Sequence, residues 1–572
     1  LGEMRRRNIL KISLAYAIFA FLSVRIVEAV VTRFDGPEWI VQALVLLLIL
    51  LFPVIVLLSW AYELKPDNVE STNKVGPATS FLIRIEEKLN RIVLTLVGLA
   101  VLFVVFETYI FNKEEPSGVI ANTDHQVTEL TAHHQMARDF LKELIEIDTT
   151  DPSGDNTAAA EAMAARLLEA GFPPEDVKVL APVERKGNLI ARYRGRNSGR
   201  KPLLLLAHID VVTADPDDWT LPPFEFIEKD GYYYGRGTSD DKDEAAIHIA
   251  NLIRLKAEGF QPDRDIIVAL TADEEGGAHN GVQWLLKNHR NLIDAEYALN
   301  EGGGGAMQDG IHVLNAVQAS EKVYQTFTLE TTNPGGHSSL PVKDNAIYHL
   351  ADALSNIRDY DFPVVLNEVT QMFFQRSAEL EEGDLAIAMR GVLESPPDPA
   401  AIEYFSNTPY YNSRLRTTCV ATRLDAGHAE NALPQRAQAT INCRVLPGES
   451  VDDVENTLTS IIDNNKVSIT RVAPATPSVP SPLTPELLSA IESITNEMWP
   501  GLPVIPTMST GATDGLYLRN AGIPVYGVSG IFGDIDDVRS HGQNERVLIE
   551  SFFEGQEFLY RLTKELSRED MN

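Results

Sequence analysis

Residues 266–277 read IIVALTADEEGG, an apolar run that stops at a threonine and is soon followed by two adjacent glutamates. The run Ile266–Leu270 is short and rich in β-branched residues, which is typical of a buried strand. Glu274 and Glu275 then stand side by side before two glycines. Two interpretations are open. The acids belong to a solvated loop or to the positive end of a following helix, or they do two different jobs at a metal site.

Length and composition describe a large, acidic, globular chain. At 572 residues it is too long for one ordinary core, and 44% hydrophobic with 23% charged residues is a globular composition. The net charge of -32 argues against a nucleic-acid partner, because phosphate contacts need clustered Lys and Arg. Two cysteines, Cys419 and Cys443, are too few for a disulfide-rich scaffold or a cysteine-built zinc site. We interpret them as isolated buried thiols; pairing across a hairpin in an oxidising compartment is the alternative.

Three long apolar runs lie in the N-terminal part, at Ile12–Val31, Trp39–Tyr62 and Ile92–Phe111. Each has roughly the 20 residues that a helix needs to cross a bilayer. Arg25 and Glu28 interrupt the first run, where they lie three apart and can pair inside a bundle. Basic residues precede the first run and separate the second from the third. The positive-inside rule then predicts a multi-pass protein of the cytoplasmic membrane, with everything after the third span on the extracytoplasmic side.

Helical and strand patterns alternate from residue 127 onward. Met136–Ile147 and Ala158–Ala170 have the composition and spacing of helices, whereas Leu203–Leu206, like the run at 266–270, is a short apolar strand that ends near polar residues. This rhythm predicts an α/β sheet whose ligand site lies beyond the carboxyl ends of its strands. The stretch 317–474 has strands and helices of its own, and we interpret it as an inserted domain.

A histidine and an aspartate follow one of these predicted strands. The stretch LLLLAHIDVV (203–212) delivers His208 and, two residues later, Asp210. A metal-bound imidazole is usually oriented by a carboxylate or carbonyl on its other nitrogen, so this spacing suits a ligand with its orienting partner. The alternative is a buried structural histidine.

Three further candidates lie in glycine-rich or charged stretches. They are Asp240 in YGRGTSDDKDEA, Glu301 in LNEGGGG and His541 in SHGQNERV. Taken singly, they fit a charged surface turn, a flexible loop and a surface histidine. Taken with Glu274 and Glu275, they give two histidines and several carboxylates without a competing cysteine. Such a set suits a pair of zinc ions with nitrogen and oxygen ligands and one bridging carboxylate.

The order of the motifs resembles that of a known family. LLLLAHIDVV, YGRGTSDDK, LTADEEGG, NEGG, NPGGHSSLP, NALP, GATDGLYLRNAGIPVYG and HGQNE follow one another as in the dizinc exopeptidases. That family includes glutamate carboxypeptidase, Gly-X carboxypeptidase, aminoacylase, carnosinase and succinyl-diaminopimelate desuccinylase. The resemblance implies an α/β zinc-exopeptidase catalytic domain over 127–316 and 475–572, with an inserted α+β dimerisation or lid domain over 317–474. The three apolar runs lie outside the family's core, so residues 1–126 would be added transmembrane helices and a linker, and the charge balance places the catalytic domain on the extracytoplasmic side.

The resemblance also implies a set of three protein ligands for each of two Zn2+ ions. One zinc ion would be held by His208, Asp240 and Glu301. The other would be held by Glu275, His541 and again Asp240, which would bridge the two ions.

Further implied roles concern the chemistry. Glu274 would be the general base that takes a proton from a water bridging the metals and later delivers it to the leaving amine. Asp210 would orient His208. The peptide bond between Asp240 and Asp241 would be cis.

A last group of implied residues contacts the substrate. His337, in GGHSS, would stabilise the oxyanion, often from the partner subunit of a homodimer; a turn or packing role is the alternative. Asn431 and Arg444 would engage the substrate, with Arg444 suited to a carboxylate unless it merely lies on an exposed strand face. The loop Gly511–Gly515 (GATDG) is expected in the substrate pocket. Asp243 departs from the family pattern, which commonly has glycine there.

The implied function is a membrane-anchored, zinc-dependent metallopeptidase that hydrolyses an amide bond of a small peptide. Glu301, rather than aspartate, at its ligand position resembles the carboxypeptidase and aminoacylase branches, so a carboxypeptidase is expected first. An aminoacylase-like N-acyl amino acid amidohydrolase is the alternative. A more distant one is a non-catalytic membrane receptor that retains the fold.

Overall fold

The computed structural model describes residues 43, 46–48, 51, 130–197 and 199–568. The chain divides into two compact units, 1–124 and 125–572, and nearly all described residues belong to the second. Fourteen α-helices are described in the second unit: α1 Ala132–Ile145, α2 Asn156–Glu169, α3 Lys242–Ala257, α4 Gly281–Asn288, α5 Arg290–Ile293, α6 Ala346–Arg358, α7 Glu368–Leu380, α8 Gly383–Gly391, α9 Pro399–Ser406, α10 Pro409–Leu415, α11 Val451–Ile462, α12 Pro485–Met498, α13 Gly515–Asn520 and α14 Ile549–Leu566.

The strands described are β1 Val177–Leu180, β2 Asn188–Tyr193, β3 Leu203–His208, β4 Ile227–Lys229, β5 Tyr232–Tyr234, β6 Ile266–Thr271, β7 Tyr297–Asn300, β8 Gly305–Gln308, β9 Ile311–Glu321, β10 Val323–Thr332, β11 Gly336–His337, β12 Thr418–Ala426, β13 Ala432–Leu433, β14 Arg436–Val445, β15 Val467–Arg471, β16 Val504–Ser509, β17 Val525–Gly527, β18 Phe532–Asp534 and β19 Arg546–Leu548. Short 3-10 turns lie at Pro174–Asp176 and Pro216–Asp218.

Within the described residues, no helix is long and apolar enough to cross a membrane. The prediction of transmembrane helices, and with it that of a multi-pass membrane protein, is therefore wrong. It rested on apolar length and charge balance, whereas the longest described helices, α3 and α14, both contain several charged side chains. The three predicted spans themselves lie outside the described residues, apart from residues 43, 46–48 and 51.

The large sheet has ten strands in the order β1-β2-β6-β3-β7-β17-β9-β8-β18, with β16 paired to β9. Its centre is parallel: β3 lies between β6 and β7, with His208 opposite Thr271 and Leu205 opposite Leu299. The strands β3 and β6 are buried at every position, as parallel central strands usually are. Since the carboxyl ends of parallel strands meet at one edge, the residues that follow β3, β6 and β7 come together there.

Helices cover both faces of this sheet. Along β3, Leu203 and Leu205 face a core formed with α1, α2, α3, α12 and α14, whereas Leu204 and Leu206 face one formed with α4, α5 and α13. The alternation follows from the two-residue period of a strand. The predicted α/β organisation of this part, with its strands at 203 and 266 and its helices near 136 and 158, is confirmed.

A smaller sheet joins two distant loops. Its three strands have the order β19-β5-β4, and Tyr234 of β5 lies opposite Arg546 of β19. Asp240 follows β5 by six residues, and His541 precedes β19 by five. Pairing of these strands therefore brings the two candidate ligands to one place.

An antiparallel sheet of order β12-β14-β10-β15 has its own core with helices α6 and α11. Cys419 of β12 lies opposite Cys443 of β14, and the two form a disulfide. The interpretation as isolated thiols is therefore wrong. The spacing of the two cysteines in the sequence does not reveal the strand register that places them opposite each other.

Four helices of the predicted inserted domain do not pack on the four-stranded sheet but form a separate core. The cluster of α7 to α10 shares its core with Ile505 of β16, a strand of the large sheet. The strand β9 also belongs to the large sheet up to Glu321. The limits 317–474 for an inserted domain remain a prediction.

Candidate metal centre

Asp240 lies between the two candidate histidines. Its Oδ1 is 2.9 Å from Nε2 of His208, and its Oδ2 is 3.2 Å from Nε2 of His541. Each oxygen of one carboxylate thus faces a different imidazole, which is the arrangement a bridging ligand requires.

Glu275 and Glu301 complete two groups of three. Oε1 of Glu275 is 2.8 Å from Nε2 of His541, and Oε2 of Glu301 is 3.9 Å from Nε2 of His208. Among the described residues, the donor atoms of two groups lie close enough together to hold a metal ion: His208, Asp240 and Glu301, and Asp240, Glu275 and His541. These five residues are the five predicted ligands, divided as expected.

The central strands account for three of the five positions. His208 is the last residue of β3, Glu301 directly follows β7, and Glu275 follows β6 by four residues. His208 is buried, whereas 54% of the His541 side chain is exposed. The cluster is therefore reached from solvent on the His541 side.

Asp210 holds the loop after β6 as well as the imidazole. Its backbone carbonyl lies 3.0 Å from Nδ1 of His208, while its carboxylate Oδ1 is 3.7 Å from the same nitrogen. The two carboxylate oxygens instead accept hydrogen bonds from the backbone N–H groups of Glu274, at 3.1 Å, and Glu275, at 3.0 Å. One side chain thus fixes the backbone that carries both glutamates.

The peptide bond between Asp240 and Asp241 is cis, as predicted. Asp241 is buried, and its Oδ2 accepts a hydrogen bond of 3.2 Å from the backbone N–H of His208. Asp240 and Asp241 therefore contact the side chain and the backbone of the same histidine.

Burial and neighbouring charges displace the pKa values of the cluster. Burial alone would lower the pKa of His208, but its hydrogen bond with Asp240 and the nearby carboxylates outweigh this and raise it well above its usual value. Burial would raise the pKa of Asp240, but hydrogen bonds with the two histidines outweigh this and lower it. Burial raises the pKa of Glu275 and of Glu301. Cations at this place would let these carboxylates remain ionised together.

Glu274 has the same kind of environment. Burial, together with the negative charges of Asp514, Glu275 and Asp210, raises the pKa of Glu274 to about 9, although His208 acts in the opposite direction. A strongly displaced carboxyl group beside a candidate metal cluster is a common feature of active sites.

Sequence reasoning assigned no role to Asp514 of the GATDG loop. The Asp514 carboxylate accepts hydrogen bonds from Nδ2 of Asn280, at 2.5 Å, and from Oγ1 of Thr271, at 3.2 Å. Asn280 Nδ2 also donates to the backbone carbonyl of Asp273, at 3.2 Å, next to Glu274. The loop at 511–515 therefore supports the loop that carries the glutamates. The GATDG motif indicated that this loop lies near the site, but only the fold shows that Asp514 supports the loop of the two glutamates.

His337 and Asn431 lie apart from the cluster in the hydrogen-bond network. Both are exposed, and they are neighbours: His337 pairs with Ala432, and the backbone N–H of Ser338 donates to the carbonyl of Asn431. Among the described residues, no hydrogen bond or ion pair joins either side chain to the five candidate ligands.

Arg444 belongs to β14 of the four-stranded sheet, and its side chain reaches the loop that follows β16 of the large sheet. Its guanidinium is 4.7 Å from the ring centre of Tyr324, and Nη1 donates a hydrogen bond of 3.3 Å to the backbone carbonyl of Thr510. Thr510 directly precedes the GATDG loop. Arg444 and Asn442 also line a cavity of about 690 Å3.

Another cavity, of about 440 Å3, borders Asp240 and Glu301. The glycines after Glu301 form part of its wall. A Cβ at Gly303 would collide with the backbone carbonyl of Gly527, so the chain can pass here only without a side chain. Space of this size beside two candidate ligands can hold small polar groups or water.

The donor set fits zinc. Zn2+ binds imidazole nitrogen and carboxylate oxygen, and each group here offers one histidine and two carboxylates, which leaves coordination positions open. Structural zinc sites are usually closed by four protein ligands, so a three-ligand set is typical of catalytic sites.

Comparison with known proteins identifies the family of the chain. The model of peptidase family M20/M25/M40 matches residues 204–565. The chain is 27% identical over 516 residues to "Probable carboxypeptidase S-like 2" of Dictyostelium discoideum, covering 87% of this chain and 96% of that protein. It is 29% identical over 464 residues to "N-fatty-acyl-amino acid synthase/hydrolase PM20D1" of Xenopus tropicalis, covering 79% and 90%.

The fold is also that of a solved structure, an M20 family metallo-carboxypeptidase, Sso-CP2, from Sulfolobus solfataricus. The TM-score is 0.57 at 18% identity, over 76% of this chain and 99% of that one. The resemblance to the dizinc exopeptidases is thereby confirmed. The chain is an enzyme of the metallopeptidase or amidohydrolase class, and it belongs to peptidase family M20/M25/M40.

Proposed function

We propose that the chain is a two-zinc carboxypeptidase that hydrolyses an amide bond of a small peptide, with Glu274 as its general base. The observation that carries this proposal is the position of Asp240, whose two carboxylate oxygens face His208 and His541. A single shared carboxylate explains why both groups of donors lie within one cluster. A receptor that merely retained the fold would have no need for five intact ligands.

The metal ions would supply Lewis-acid polarisation of the scissile carbonyl and stabilise the negative charge that develops on its oxygen. Burial raises the pKa of Glu274 to about 9, so nearby positive charge is needed for its carboxylate to act as a base at neutral pH. Two dications held by the adjacent ligands would supply that charge.

Glu274 then moves one proton. It accepts a proton from the attacking water, whose oxygen forms the new bond to the carbonyl carbon. The C–N bond breaks, and Glu274 returns the proton to the departing nitrogen, which leaves as an amine. Asp210 keeps Glu274 in place for both transfers through the backbone N–H groups of the loop.

Substrate binding is assigned to residues of the four-stranded sheet and its neighbours. The guanidinium of Arg444 lines a cavity and lies next to Thr510, so it suits the terminal carboxylate of a peptide. His337 and Asn431 are exposed, and within the part of the chain that the structure describes no hydrogen bond or ion pair joins His337 to the cluster. We assign His337 to oxyanion stabilisation in the site of a partner subunit of a homodimer.

An N-acyl amino acid amidohydrolase is the second candidate. It is favoured by the similarity to "N-fatty-acyl-amino acid synthase/hydrolase PM20D1", which extends over 464 residues. Both reactions cleave an amide bond next to a free carboxylate, so the same cluster and Arg444 would serve either one.

A substrate panel distinguishes the two. The zinc-loaded protein is incubated with dipeptides, longer peptides with free or amidated C termini, and N-acyl amino acids of increasing chain length, and the products are identified by mass spectrometry. A carboxypeptidase releases only the C-terminal residue and is inactive on C-terminal amides. Preferred cleavage of N-acyl amino acids would favour the second candidate, and absence of any amide hydrolysis would refute both.

A further inference from the structure

Glu545 is a buried carboxylate in the loop between His541 and β19. Glu545 is fully buried, and its Oε2 lies 2.6 Å from Nη1 of Arg236, whose side chain is also buried. Arg236 belongs to the loop that leads to Asp240. The ion pair therefore joins the segment that carries one candidate ligand to the segment that carries another.

The other oxygen of Glu545 contacts the backbone just before Asp240. Oε1 accepts hydrogen bonds from the backbone N–H groups of Gly237, at 3.1 Å, and Ser239, at 2.9 Å, and lies 3.2 Å from Oγ of Ser239. Ser239 directly precedes Asp240. One carboxylate thus fixes the direction from which the chain enters the cis peptide of the proposed bridging ligand.

Additional bonds join the same two loops. The backbone N–H of Gly235 donates to the carbonyl of Glu545, at 3.1 Å, and Nη2 of Arg236 donates to the carbonyl of Gly542, at 3.2 Å. The hydroxyl groups of Ser239 and Ser540 lie 3.3 Å apart, and Ser540 directly precedes His541. The residues before the two candidate ligands are therefore in contact.

A buried ion pair is weak evidence of a gain in stability, because removing two charges from water offsets their attraction. Here the bonds go to backbone groups beside two ligands that come from distant parts of the chain. We propose that Glu545 is a positioning residue that holds Asp240 and His541 at the separation needed by the metal site formed by Asp240, Glu275 and His541. This inference rests on the proposed two-metal function.

The proposal predicts an unequal effect on the two metal ions. Asp240 takes part in both groups, but His541 takes part only in the second, and His208 and Glu301 of the first are held by β3 and β7. Loss of a residue that orients metal ligands typically weakens metal binding by about 10- to 100-fold. In Glu545→Gln, we expect a loss of this size for the second zinc ion and a smaller one for the first.

The test is a zinc titration of the metal-free full-length chain against a competing chelator, with Co2+ absorption as a second readout of coordination. Asp176→Asn is the matched control, because Asp176 is a buried carboxylate that pairs with Arg194 at 2.9 Å, in the β1-β2 region rather than in a ligand loop. Thermal unfolding reports the stability of each variant.

Glu545→Asp is the second variant, because it keeps the negative charge opposite Arg236 but shortens its reach. We expect this variant to fold and to bind the second zinc ion more weakly than the wild type does. The inference is overturned if the folded Glu545 variants bind both zinc ions as tightly as the wild type does. It is also overturned if the affinity for both ions falls equally and in proportion to the lost stability, because a general structural role would have that effect. A wild-type chain that binds only one zinc ion would instead refute the proposed two-metal function, and the inference with it.

Discussion

Nε2 of His541 lies 2.8 Å from Oε1 of Glu275, although the two residues are 266 positions apart in the chain. Glu275 reaches this point from the end of β6 in the large sheet, and His541 reaches it from a loop fixed by the pairing of β19 with β5. The candidate centre therefore depends on two sheets being correctly assembled.

Glu274→Gln should abolish most of the activity and leave metal binding intact. The amide has nearly the same shape but cannot accept a proton from water, and Glu274 belongs to neither group of candidate ligands. We expect kcat to fall by about 10^2- to 10^4-fold. Steady-state kinetics and metal analysis of the same preparation measure the two effects. The matched variant is Glu275→Gln in the neighbouring position, which should lose zinc; if both variants kept zinc and activity, both assignments would be wrong.

Asp210→Asn should disturb the loop that carries the glutamates. An asparagine has one acceptor oxygen for the two backbone N–H groups of Glu274 and Glu275, so one donor loses its partner, at a cost of about 1–3 kcal/mol in the free energy of unfolding. We also expect kcat to fall more than KM rises, because the base is displaced.

Asp265→Asn is the control for this effect. Asp265 also accepts a backbone N–H, that of Gly195 at 2.8 Å, but directly before β6 and not in the loop that follows it. It should lower stability without a comparable change in kcat. Equal loss of kcat in the two variants would argue against a local role for Asp210.

The stability of the protein should depend on pH through Lys322. Burial lowers the pKa of Lys322 from 10.5 to about 7, although Glu449 acts in the opposite direction. Because the folded-state pKa is the lower one, the contribution of Lys322 to the free energy of unfolding is largest above pH 10.5 and falls as the pH drops towards 7, by about 1.4 kcal/mol for each pH unit.

Lys322→Met should remove this dependence. Nζ of Lys322 donates a hydrogen bond of 2.7 Å to the backbone carbonyl of Arg416, which the variant lacks. The stability of the variant at high pH therefore measures the contribution of this hydrogen bond. Denaturant titrations of both proteins between pH 7 and 9 measure the slopes. A variant whose slope equals that of the wild type would show that Lys322 does not titrate in this range.

The disulfide between Cys419 and Cys443 should stabilise the four-stranded sheet. Its sequence separation is 24 residues, and closing a loop of that length lowers the entropy of the unfolded chain enough to contribute about 3 kcal/mol. Replacing both cysteines by serine should reduce the free energy of unfolding by that amount and leave zinc affinity unchanged. The disulfide is disproved if the denatured, unreduced protein shows two reactive thiols.

The sequence indicates those parts of the site that lie directly at strand ends. His208 follows an apolar strand, Leu203–Leu206, that pattern alone identifies, and parallel strands deliver their carboxyl ends to one edge. Asp240 and His541 lie in loops that no periodicity connects, so only their residue types and the family resemblance indicated that they belong together. The pairing of β5 with β19 supplies the physical reason.

Other features depend on details that a sequence does not contain. Asp210 directs its carboxylate mainly to the backbone of Glu274 and Glu275, because the direction of a side chain after a strand depends on the local backbone. The disulfide depends on the register of β12 against β14. Apolar length alone predicted membrane spans, and no described helix meets that requirement.

The most direct test of the two-metal centre is a crystal structure of the zinc-loaded protein with anomalous scattering measured on both sides of the zinc edge. We predict two zinc peaks about 3.5–4 Å apart, with one oxygen of Asp240 on each ion, His208 and Glu301 on one, and Glu275 and His541 on the other. A single zinc ion, or two ions with both oxygens of Asp240 on the same one, would contradict it.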